Sequence, residues 1–393
     1  MTSRKPALWL LVMVTFTGTA AMHMFVPALP RMAVDLGTGA AAAQMTITMY
    51  IVGLALGQLF YGPVADCFGR RPTLLGGLAI FTTAGIVATG ASSPAVLVAA
   101  RFVQAVGGCA GLMLARAIVR DAVAQADLVG RLATLNLMMM FGPGLAPFIG
   151  AWINATGGWR CILAFLSALG LLNLVLTWRC LPETGRPSGI LSVSSVLADY
   201  RLLTGSRSFV WVVVGSGCAT TSMYAFITCA PFIWARTLHH SSTEMGIYLG
   251  LMIVGLSVGN LLSKICARHL SLDRMMTFAS LLSLASATVL LALVLWGELT
   301  AARIGIAMFV YSAGTGLCAP AAMSRAFSVD ARVTGSAAGL YGFAQMACGA
   351  LFTLLASLGR DPAMSAAVVM VCAGLVAQLS FRHAAKERPR RAS

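Results

Sequence analysis

Two side chains in this 393-residue chain stand where ionisable groups are costly: His23 and Arg101 each fall inside a long apolar run. A charged group in such a run faces either a wet cavity or a partner group. An imidazole, with an unperturbed pKa of about 6.5, can also take up and release a proton near neutrality. Thr15, Thr19 and His23 recur every four residues and so share one helix face. His23 has two readings, a hydrogen-bonded structural histidine or a proton carrier whose charged form a nearby Arg101 would oppose. Arg101 also has two: it snorkels to the membrane interface, or it points inward to handle substrate or protons. It stands about six residues into its run, roughly 9 Å along a helix axis. Thr19, Tyr50, Asn136, Tyr224, Tyr341 and Gln345 are candidate cavity-lining residues, with Met138, Met139 and Met140 as an adaptable wall. Each of these is equally compatible with ordinary helix packing.

No catalytic set accompanies them. The sequence lacks an H-E-x-x-H string, and His23 has no evident acidic orienter for a nucleophile–base pair. The ten cysteines are dispersed without a C-x-x-C pair and read as small apolar packing residues. The expectation is therefore no enzyme, no metal and no organic cofactor.

The elements that position these residues follow from composition. The chain is 59% hydrophobic and 10% charged, against about 25% charged in soluble domains. Runs of roughly 20 apolar residues, the length that crosses a bilayer, predict twelve spans at 7–30, 44–63, 73–92, 95–117, 131–154, 159–180, 208–235, 243–265, 274–296, 300–322, 334–358 and 362–382. This is an all-α membrane protein. The run before residue 30 begins like a signal peptide, with Arg4 and Lys5, but its length makes it a retained first span.

The formal charge of +15 resembles a nucleic-acid footprint until its distribution is followed. With the N-terminus inside, 21 of the 27 Lys and Arg residues fall on inner loops and ends, five on outer loops, and Arg101 within a span. The positive-inside rule accounts for this pattern, so both termini are expected in the cytoplasm and no nucleic-acid partner is implied. Division falls near the middle: residues 1–185 form one six-helix bundle, 186–207 a cytoplasmic linker, and 208–393 the second bundle. Within the linker region Val193, Val196, Leu197, Tyr200 and Leu203 follow helical spacing, as either an amphipathic helix on the inner membrane face or an ordinary helical linker.

The stretch Gly62-Pro63-Val64-Ala65-Asp66-Cys67-Phe68-Gly69-Arg70-Arg71-Pro72 reads as a tight loop between the second and third spans. Its spacing, G-x-x-x-D-x-x-G-R-R, resembles the signature loop of the major facilitator superfamily. Arg101-Phe102-Val103-Gln104-Ala105-Val106-Gly107 resembles the superfamily's R-x-x-Q-G-x-G element, with Ala105 in place of a glycine. The fifth span, with Gly142, Pro143, Pro147 and Gly150, is similar to an exporter-associated element, with alanines at two glycine places. Met24 to Pro30, followed by Asp35-Leu36-Gly37, resembles the drug:proton antiporter branch, especially its Bcr/CflA-type bacterial members.

The resemblance implies two pseudo-symmetric six-helix bundles in the bacterial inner membrane, and proton-coupled export of a small amphiphilic drug or metabolite by a monomer. A facilitator or uptake carrier for an organic anion is the alternative. Gly62, Asp66, Gly69, Arg70 and Arg71 would form a gate latch, and the fifth-span element would supply close helix packing or a kink. The branch commonly carries a membrane-embedded acid where this chain has His23, and none of the twelve acids lies in the middle of a span. A cavity without a carboxylate favours neutral or anionic cargo over lipophilic cations.

Overall fold

The computed structural model describes residues 7–122, 144–185, 193–328 and 334–387. They are helical almost throughout, and eleven segments are long and apolar enough to cross a membrane. The remaining predicted span, 131–154, lies partly outside the described residues, and its described part is helical over 144–157. The chain divides into two compact units, Met1–Val193 and Ser194–Ser393.

In the first unit, α1 (Leu8–His23) ends where Pro27 and Pro30 interrupt the helical hydrogen bonds. A 3-10 turn (Val26–Ala28) and α2 (Leu29–Asp35) complete that span. Then follow α3 (Ala40–Phe68), α4 (Arg70–Thr89), α5 (Pro94–Ala122), α6 (144–157) and α7 (Trp159–Cys180). The central helix is α5, packed on α1, α3 and α4.

The second unit opens with α8 (Val193–Gly205), which covers the helical spacing read in the linker region. Leu203 is its buried anchor, while Leu197 stays exposed. Asp199 of α8 accepts a hydrogen bond from Ser336 Oγ at 2.7 Å. After it come α9 (Arg207–Thr221), α10 (Met223–Phe232), a π-helical turn (Ile233–Leu238), α11 (Ser242–Cys266), α12 (Leu272–Leu295), α13 (Ala301–Phe327), α14 (Thr334–Ser357) and α15 (Pro362–Lys386). Here α13 takes the central place of α5, packed on α9, α11 and α12. The first span of this unit is also broken, at Ser222 and again at the π turn beyond Pro231. Two halves built on one plan carry their irregular helices at corresponding places, as internal repeats do.

The stretch expected to be a loop is helix instead. The α3 helix continues through Gly62, Pro63 and Asp66 to Phe68, and α4 starts at Arg70. Only Gly69 separates them, at φ 100°, a conformation that L side chains rarely adopt. Gly62 has no turn to make, and nothing lies within 4 Å of where its Cβ would be. The sequence reading erred because Gly and Pro, both helix breakers in water, are tolerated in helices that neighbouring helices support.

Candidate functional site

Arg101 does not snorkel. It is fully buried, and its guanidinium donates from Nη1 to Gln104 Oε1 at 2.6 Å and from Nη2 to the Ala21 carbonyl of α1 at 2.8 Å. Its Cζ lies 4.2 Å from the Tyr50 ring centroid and 5.1 Å from that of Phe25. Cation–π contacts of this kind gain strength in desolvated surroundings, to about 2 kcal/mol. Tyr50 itself donates to the Gly18 carbonyl at 2.9 Å and is fully buried, so it bridges α3 to α1. No described carboxylate pairs with Arg101. Its Nε and the nearby Gln104 Nε2 are buried donors with no hydrogen-bond partner among the described residues. The cation is thus held by carbonyls and ring faces, and it fixes the end of α1 two residues before His23.

His23 is buried, with Nδ1 at 3.0 Å from the Thr19 carbonyl. A carbonyl only accepts, so Nδ1 carries the hydrogen in that bond. The stripe above it is satisfied in the same way: Thr15 Oγ1 donates to Leu11 O at 2.7 Å, and Thr19 Oγ1 to Phe16 O at 3.0 Å. Gly150 of α6 presses on the same segment, since a Cβ there would stand 2.0 Å from the Met24 carbonyl oxygen. Pro147 is buried on α6 one turn earlier. The structure therefore brings His23, Arg101, Tyr50 and Gly150 together around residues 21–25.

In the second unit Tyr341 and Gln345 meet two residues that the sequence reading missed. Ser216 Oγ lies 2.7 Å from Tyr341 Oη and accepts from Gln345 Nε2 at 2.7 Å. Thr220 Oγ1 lies 2.6 Å from Gln345 Oε1. The i,i+4 spacing of Ser216 and Thr220 on α9, and of Tyr341 and Gln345 on α14, was the available signal. Tyr224 is half-buried on α10, and its ring packs on α14 at Gly349, where a Cβ would stand 2.8 Å from Tyr224 Cδ2. Asn136, Met138, Met139, Met140, Gly142 and Pro143 lie outside the described residues.

The α3–α4 junction is a charged staple. Arg70 pairs with Asp66 at 2.7 Å and with Asp121, at the end of α5, at 2.9 Å. The Glu183 carboxylate accepts from the backbone N–H groups of Arg70 and Arg71, at 2.9 and 3.1 Å, and so caps the first turn of α4. In return Arg71 Nη2 donates to the Trp178 carbonyl in the last turn of α7 at 2.6 Å. The start of α4 thus meets a carboxylate and the last turn of α7 a guanidinium, the charges their dipoles favour. The second unit holds a pair at the corresponding junction with the signs exchanged: Asp273 at the start of α12 and Arg325 at the end of α13, 3.3 Å apart. Sequence reading named Asp66, Arg70 and Arg71 but not Asp121, Glu183 or Arg325 as their counterparts.

All described acids lie at helix ends, in connections or on α8, as expected from the sequence. Arg31 likewise sits at an end, donating to the Asn154 carbonyl at 2.7 Å, and Asp35 accepts from Trp159 Nε1 at 2.9 Å.

Comparison with known proteins fits this architecture. The solved D-xylose–proton symporter superposes with a TM-score of 0.78 at 14% identity, covering 95% of this chain and 96% of that one. A bacterial homologue of the human lysosomal transporter Spinster, in an inward-facing conformation, gives 0.74 at 15% identity and 98% coverage of both chains. These show a shared fold. Among relatives by sequence, multidrug resistance protein D of Escherichia coli is 29% identical over 378 residues, 95% of this chain and 94% of that protein. The bicyclomycin resistance protein homologue of Haemophilus influenzae is 26% identical over 368 residues, 92% of this chain and 91% of that protein. A chloramphenicol resistance protein of Pseudomonas aeruginosa is 35% identical over 213 residues, 53% of this chain and 50% of that protein. They bear out the resemblance to the Bcr/CflA-type branch. The Major Facilitator Superfamily model matches residues 8–353, and with its two helical halves and eleven described spans this chain belongs to that superfamily of multi-pass membrane transporters.

Proposed function

We propose that this protein exports small amphiphilic compounds, drugs or metabolites, across the bacterial inner membrane in exchange for protons. The observation that carries this reading is the near full-length similarity to proteins named for multidrug and bicyclomycin resistance. Residues 1–185 and 208–393 act as two bundles joined by 186–207, and they expose the substrate alternately to the two sides of the membrane. Both termini face the cytoplasm, in keeping with the bias of Lys and Arg toward that side. The protein works as a monomer.

In this reading His23 carries the proton. Its Nε2 exchanges while Nδ1 stays tethered to Thr19, and Arg101, bound to the Ala21 carbonyl, holds the end of α1 that carries it. The staple around Asp66 and Arg70 holds the inner gate in one state and lets it go in the other. Thr19, Tyr224, Tyr341 and Gln345 contribute polar groups to the substrate path, with Ser216 and Thr220 fixing the last two.

Cargo charge follows from the same residues. No described span carries an acid in its interior, so no carboxylate balances a cationic substrate. Neutral or anionic compounds are therefore favoured. Proteoliposomes with an imposed pH gradient, loaded in turn with neutral, anionic and lipophilic cationic compounds, test this. Transport of the first two classes is expected, and robust ethidium efflux by the unaltered protein would overturn the charge assignment.

A further inference from the structure

At the end where α9 begins and α15 finishes, four cationic or titratable side chains gather around an aromatic stack. The Trp211 and His383 rings lie face to face, with centroids 5.0 Å apart and planes 28° from parallel. One turn deeper, a Cβ on Gly215 would meet Phe381 and Ser380, at 2.7 and 3.1 Å. These two levels fix an antiparallel register of 211 against 383 and 215 against 380–381. One turn outward along the same register, Arg207 on α9 comes level with Lys386 on α15.

Arg207, Arg382, His383 and Lys386 are all exposed, and none makes an ion pair with a described carboxylate. His383 Nδ1 is engaged by the Leu379 carbonyl at 2.8 Å, which leaves the other ring nitrogen for a ligand. Glu387 follows Lys386 and is the one acid of this turn of α15. The other nearby acid, Asp273, is committed to Arg325, which also donates from Nη2 to Ser208 Oγ at 3.2 Å. The balance is cationic. The first amides of α9 add to it: Ser206 Oγ accepts from Phe209 N, and the amides before it have no acceptor within the helix.

The cluster stands at the level where α9 enters its span, and Trp211, half-buried one turn in, sits at the depth of an interfacial tryptophan. An anion that presents itself there beside an apolar chain is a lipid. We propose that the α9–α15 end is a headgroup site for an acidic phospholipid, its phosphate taken by Arg207, Lys386 and the start of α9, and its glycerol region laid against the Trp211–His383 stack. Basic residues near an anionic membrane surface contribute about 1 kcal/mol each, so losing two weakens binding by about 30-fold.

Native mass spectrometry of the full-length protein, titrated with phosphatidylglycerol, phosphatidylcholine or glycerol phosphate, tests this. Phosphatidylglycerol should bind more tightly than phosphatidylcholine. R207Q/K386Q should weaken that preference by about 30-fold, and R207K/K386R should keep it. Should the double variant not fold by circular dichroism, Arg207→Gln alone carries the test with an expected loss of about 5-fold. Equal binding of the two lipids, undiminished phosphatidylglycerol binding by the glutamine variants, or displacement of the lipid by glycerol phosphate in the same concentration range would overturn the proposal.

Discussion

Three glycines of this chain should respond to the same substitution in three different ways. Gly62 lies within α3, and a Cβ there meets nothing within 4 Å. Alanine restricts the unfolded chain and favours helix, so Gly62→Ala should stabilise by about 0.5–1 kcal/mol. Gly69 has φ 100°, and its Cβ would stand 2.7 Å from Glu183 Oε2. With ψ 160° this is an extended positive-φ conformation almost confined to glycine, at a cost of about 1–3 kcal/mol to an L residue, and displacing the carboxylate from the start of α4 costs about 1 more. At Gly150 the Cβ would lie 2.0 Å from the Met24 backbone oxygen, well inside van der Waals contact. Neither partner is a flexible side chain, so α6 and residues 21–25 must separate, at the 1–3 kcal/mol or more of an overpacked core. Thermal unfolding of the purified variants, followed by reaction of the buried thiols, gives the order Gly62→Ala above the unaltered protein, with Gly69→Ala and Gly150→Ala below it. At about 2 °C per kcal/mol for a chain of this size, the spread is several degrees. A Gly62→Ala midpoint as low as that of Gly69→Ala would refute the continuous α3 helix and restore the loop expected from sequence.

Other residues give separate tests. Glu183→Ala leaves the first amides of α4 without their carboxylate and should lower stability by about 1–2 kcal/mol in the same assay, with Glu183→Gln recovering part of the loss. Tyr50→Phe keeps the ring against Arg101 but deletes the bond to the Gly18 carbonyl, at about 1 kcal/mol, whereas Tyr50→Leu also removes the cation–π contact and should cost up to about 2 more. Asp66→Ala should slow turnover in reconstituted vesicles while substrate affinity changes little, and the reverse pattern would count against the latch.

Much of the architecture was legible because membrane spans announce themselves by length and apolarity, and the described spans lie close to the predicted ones. The Gly62–Pro72 stretch was recognised by its spacing but misread in shape. Its glycine and proline were judged by their behaviour in water, while the helix is held by α5 and the carboxylates around it. Arg101 and Tyr50 were picked out as polar residues in apolar runs, and Gln104 stands in the same R-x-x-Q string, yet the carbonyls of Ala21 and Gly18 that tie them to α1 are backbone atoms that no side-chain pattern reveals. Glu183 and Asp121 lay 112 or more and 51 residues from the arginines they bind. Only the folding of α4, α5 and α7 into one bundle brings them together. The polar cluster of Ser216, Thr220, Tyr341 and Gln345 was half seen for the same reason: Tyr and Gln stand out in an apolar helix, whereas Ser and Thr are common there.

The most direct test of the account is proton-driven transport by His23→Ala. Proteoliposomes bearing the variant or the unaltered protein are given a pH gradient of fixed size, and accumulation of a neutral substrate is followed beside passive exchange without the gradient. The account predicts that the variant keeps passive exchange and loses accumulation driven by the gradient. Full gradient-driven accumulation by His23→Ala would contradict it.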